Sequence, residues 1–143
     1  MEELASYTRQ DRIQFCRVIA NIVAADHKVT EEEQVQLAGL VWQAGLSMFE
    51  EDVAAAINEE LQNPSPLRNL VGGLQNANLR RWVYRVTVEL AYADGELASV
   101  ERDKILELAD IFDLNRQAAE DLIQWTYDSI NLESREADIM SRL

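Results

Sequence analysis

Four carboxylates stand in two matching frames along this chain. Asp26 is followed by Val29 three places on and Glu33 seven places on. Asp94 is followed by Leu97 and Glu101 at the same offsets, 68 residues later. In each frame the Asp closes one apolar segment and the Glu falls early in the next. Carboxylate oxygens are hard donors, the kind that Ca²⁺ and Mg²⁺ take. Two carboxylates from one corner make a weak cation site. Four from two corners make a stronger one if the fold brings the corners together, with Glu31, Glu32 and Glu96 as nearby reserves. The set is not an EF-hand, whose loop needs Gly at its sixth position and Glu at its twelfth. Here Gly95 follows Asp94 directly and Glu101 is the eighth residue.

Local roles compete for the same side chains. Thr30 and Glu33 have the spacing of a capping box, and an Asp at a helix end can bond the N–H groups of the turn. In the second frame Ala98 stands where Thr30 stood, so no hydroxyl is available for a box with Glu101. The Glu is nevertheless kept at the same offset, so a role other than capping is open to it, a hard divalent cation being one candidate beside structural turn and capping roles. Gly95 supplies a left-handed residue to end its helix. The first frame has His27 there, the one histidine of the chain. It reads as a surface turn residue, or as a ligand or pH-sensitive contact beside Asp26.

The elements that position these corners follow from apolar spacing. Segments 13–25 and 82–93 are apolar almost all round, as expected of helices in the middle of a bundle. After Thr30, the residues Val35, Leu37, Leu40, Val41 and Ala44 recur at helical spacing, and Ile105, Leu108, Ala109 and Phe112 match the last of them. Trp42 lies at the edge of that stripe and reads as core, with a partner surface as the alternative. Each copy then turns at a leucine, Gly45-Leu46-Ser47 and Asp113-Leu114-Asn115, and Ser47 and Asn115 are good N-caps. Glu50 gives Ser47 a second capping box. The third helices carry Phe49, Val53, Ile57 and Leu61, or Ala119, Leu122, Ile123 and Ile130, with Ile57 opposite Trp125. Between the units, Ser65 caps a short helix with Pro66 at its first position. A tail helix over about 134–142 docks through Ile139, Met140 and Leu143. The expected fold is all-α: one compact domain over 1–143, with seven or eight helices in two related three-helix units (about 12–62 and 79–130).

Composition bounds the function. The net charge is −13, which repels nucleic acid and anionic membranes and attracts cations and basic partners. Arg80, Arg81 and Arg85 interleave with Trp82 and Tyr84, but Arg12 and Arg17 stand at matching places in the first unit. A structural role shared by both units is expected, not nucleic-acid binding. Cys16 is the sole cysteine, in an apolar run, and reads as a buried inert thiol. No run approaches a membrane span and the first residues lack a signal peptide's pattern, so a cytoplasmic location is expected. No nucleophile stands in a recognisable elbow near a base, and Gly72-Gly73 lacks the Lys of a phosphate loop. The chain is expected not to be an enzyme.

The stretch Ala93-Asp94-Gly95-Glu96-Leu97-Ala98-Ser99-Val100-Glu101 resembles the tellurite-resistance TerB-like family, and residues 25–33 resemble a diverged second copy with His27 in place of Gly. The resemblance implies a helical bundle with duplicated helices, acidic residues implicated in metal binding, and a role in bacterial stress or tellurite resistance. Carried over, the metal set is Asp26, Glu33, Asp94 and Glu101, for a cation of the Ca or Mg class. Related modules fused to co-chaperone domains act as interaction units. The second expectation is therefore a metal-free adaptor that binds a protein partner.

Overall fold

The computed structural model describes residues 4, 6–24, 29–92, 97 and 99–143. Among them are seven helices and no strand: α1 (Arg9–Val23), α2 (Glu31–Gln43), α3 (Glu51–Gln62), α4 (Leu67–Val71), α5 (Ala77–Ala91), α6 (Ser99–Ile111) and α7 (Arg116–Arg142). The all-α expectation holds. The two central helices start earlier than their apolar runs because polar caps precede them. Thr8 accepts the N–H of Asp11 ahead of α1, and Asn76 accepts that of Leu79 ahead of α5.

α1 and α5 form the middle of the bundle. Phe15, Val18, Ile19 and Ile22 on α1, and Leu79, Val83 and Val88 on α5, are fully or almost fully buried. α1 packs on α2, α3, α4, α5 and α6, and α5 packs on α1, α2, α6 and α7. Cys16 is among the buried residues, and burial pushes its thiol up to about 12, so it stays protonated and inert at neutral pH.

The duplicated turns match in detail. Leu46 N–H reaches back to Val41 O after α2, and Leu114 N–H reaches Ala109 O after α6. Both turns need a left-handed residue just before the leucine: Gly45 at φ 75° and Asp113 at φ 57°. Glycine takes that conformation freely, whereas Asp113 carries a Cβ penalty. Asp113→Gly is therefore expected to stabilise the fold by about 0.5–1 kcal/mol, read as a higher urea midpoint at unchanged slope.

Elsewhere the two units diverge. Ile57 is fully buried while Trp125, its counterpart, is 54% exposed, and Phe49 is fully exposed. Phe49 falls outside the core because α3 begins only at Glu51. Ser47 heads a turn there: its Oγ accepts Phe49 N–H, while Glu50 Oε2 accepts Ser47 N–H. Ser65 does not cap α4. Pro66 holds the cap position, and the Ser65 N–H and hydroxyl both donate to Glu60. The tail helix does not dock either. It is the continuation of the 27-residue α7, and residues 131–143 are all exposed.

Candidate functional site

Helix directions decide where the two acidic corners lie. Arg12, in the first turn of α1, donates from Nη1 to Ala44 O just past the end of α2, at 2.9 Å. α1 and α2 are thus an antiparallel hairpin. Arg80, in the first turn of α5, lies over the ring of Phe112 just past the end of α6, at 5.3 Å. α5 and α6 repeat the hairpin. A groove between α2 and α5 sets the hairpins against each other. Val35 and Gln36 line it with Glu89 and Leu90, while Leu40 and Gln43 reach Trp82 and Arg85. α2 therefore runs antiparallel to α5 as well as to α1. It follows that α1 and α5 run the same way, and that α2 and α6 both run opposite to them.

The first turns of α2 and α6 consequently sit at one end of the bundle, beside the C-terminal ends of α1 and α5. Glu33 and Glu101 stand in those turns and are only 5% and 6% exposed. Glu33 makes the expected capping box: its Oε1 accepts Thr30 N–H at 3.1 Å, and its own N–H reaches Thr30 Oγ1 at 3.1 Å. The box leaves Oε2 outside its two bonds. Helix N-termini favour carboxylates, and the carbonyl ends of α1 and α5 favour a cation. Glu31 and Glu32 are exposed in the same first turn of α2. Asp26 and Asp94, with His27, Gly95 and Glu96, lie outside the described residues. Among the described residues no group of three or more metal-type side chains comes together.

The family model described as "Tellurite resistance protein TerB" matches residues 12–124, most of the chain and both hairpins. The chain belongs to the TerB family. Neither a curated protein nor a solved structure matches it. In this TerB-family chain the arginine-aromatic cluster has partners within its own half of the chain. Arg80 Nε donates to Leu74 O, and Arg85 pairs with Glu89 at 3.2 Å and stands over Trp82. Trp42 is a correction: it is 74% exposed and belongs to the surface of α2. No helix among the described residues is long and apolar enough to cross a membrane.

Glu60 stands outside the repeated frames. This carboxylate is 1% exposed and accepts from Asn21 Nδ2 at 2.8 Å, from Arg17 Nη2 at 3.4 Å and from Ser65. It ties α1, α3 and the approach to α4 together. The signal available beforehand was Arg17, a charge inside an otherwise apolar helix that needs a buried anion.

Proposed function

We propose that this TerB-family chain is a non-enzymatic cytoplasmic module that holds one hard divalent cation at the end of its bundle, in tellurite or related stress resistance. The observation that carries the reading is the placement of Glu33 and Glu101, two buried carboxylates brought to one end by parallel central helices. The donor set fits the group: oxygen ligands suit Ca²⁺ or Mg²⁺, and the capping box uses only one oxygen of Glu33. Glu33 and Glu101 would hold the cation together with Asp26 and Asp94, whose sequence offsets put one Asp with each Glu. The cation would neutralise like charges that otherwise repel across the corners.

The expected result is a melting temperature raised by about 5–10 °C when Ca²⁺ or Mg²⁺ exceeds its dissociation constant about a hundredfold. Asp94→Asn is expected to abolish the rise. A flat response to millimolar Ca²⁺, Mg²⁺, Mn²⁺ and Zn²⁺ would count against the cation. A second reading, a metal-free adaptor for a protein partner, is favoured by the exposure of Trp42 and Phe49. Under it Asp94→Asn lowers stability equally with and without cation.

A further inference from the structure

The second half of α7 leaves the bundle with an apolar stripe uncovered. Residues 131–143 are all exposed. Leu132, Glu136, Ile139 and Leu143 follow one another at helical spacing along one face, and Leu132, Ile139 and Leu143 are 62%, 48% and 93% exposed. A helical arm of about 13 residues is marginal in water without packing.

The charges on this arm say what covers it. Glu136 lies within the stripe itself, one turn after Leu132, with Arg135 beside it. Arg142 pairs with Asp138 in its own helix at 3.0 Å, but among the described residues neither Arg135 nor Glu136 has an ion-pair partner. Adjacent opposite charges in a seam are self-complementary when two copies of the helix run antiparallel.

We propose that a second copy of the chain covers this face, the two arms crossing antiparallel about a two-fold axis between residues 135 and 136. Leu132 then meets the partner's Ile139, and Arg135 meets the partner's Glu136, each contact made twice. The arm carries three acidic and two basic residues in a chain of net charge −13, so pairing there avoids most of the repulsion. Antiparallel crossing also keeps the acidic bodies apart. The packed halves of α7 lie roughly 40 Å apart centre to centre and about 16 Å apart at their nearest ends, at a rise of about 1.5 Å per residue, beyond a screening length of about 8 Å. Parallel pairing would set them side by side.

Sedimentation equilibrium of the 143-residue chain tests this. The expected mass approaches twice 16.3 kDa in the high micromolar range. Arg135→Glu alone and Glu136→Arg alone are each expected to sediment as monomers, because like charges then meet twice. An equimolar mixture of the two variants is expected to regain the dimer. Wild-type chain that stays monomeric throughout overturns the proposal, as does a dimer that survives either single reversal. Residues 135 and 136 lie about two turns beyond Tyr127, which meets Tyr92 at the acidic end of the bundle, so the Ca²⁺-dependent melting of each variant is measured alongside its mass to keep the two sites apart.

Discussion

Glu60→Ala is expected to cost roughly 3 kcal/mol of folding stability, about a fifth to three fifths of what a domain has to lose. The carboxylate is buried and holds three groups at once: the Arg17 guanidinium, the Asn21 amide, and the N–H and hydroxyl of Ser65. Removing it leaves Arg17 and Asn21 inside the α1–α3 contact without their anion. Arg17 is one-third exposed and can partly rehydrate, which keeps the cost at the lower end for a broken buried pair. The paired replacement Arg17→Met with Glu60→Leu removes both charges and is expected to cost less than Glu60→Ala alone. Urea unfolding of the three proteins checks the order. A loss under about 1 kcal/mol for Glu60→Ala would mean that the cluster does not hold α3 in place.

The second large effect concerns the two buried glutamates at the bundle end. Glu101→Gln is expected to weaken cation binding by at least about tenfold, or ~1.4 kcal/mol. Because glutamine keeps the shape and a carbonyl acceptor, the cation-free protein is expected to stay nearly as stable as before. Glu33→Gln is expected to behave the same way, since glutamine also closes the box by accepting Thr30 N–H. Melting temperatures with and without Ca²⁺ separate binding from folding. Loss of cation-free stability with an unchanged Ca²⁺-dependent rise in either variant would show that its glutamate is a structural group only.

Much of the architecture was legible because local chemistry repeats with the fold. Thr30 and Glu33 predict the capping box that forms, and the matched leucine turns predict two hairpins of the same make. What local spacing does not contain is the identity of the packing partner. Ile57 and Trp125 occupy equivalent places, yet one is fully buried and the other half exposed, because α3 and α7 meet different surroundings. The apolar residues near the end of α7 reveal a face but not whether anything lies against it. Ser65 has the type and position of a cap, but Glu60 offers its N–H and hydroxyl a buried charged acceptor, and that tertiary contact wins. The carboxylate frames were visible as a repeat. The placement of Glu33 and Glu101 at one end depends on α1 and α5 running the same way, a property of packing between units that a repeat does not encode.

A single shared cation requires the two corners to act as one site. Calorimetric titration of the chain with Ca²⁺, and in parallel Mg²⁺, measures this through stoichiometry. One cation per chain is expected, with heat lost in both Asp26→Asn and Asp94→Asn, since each corner supplies half of a shared set. Two cations per chain, each abolished by only one of the substitutions, would contradict the shared site, and no binding heat with either cation would contradict the site altogether.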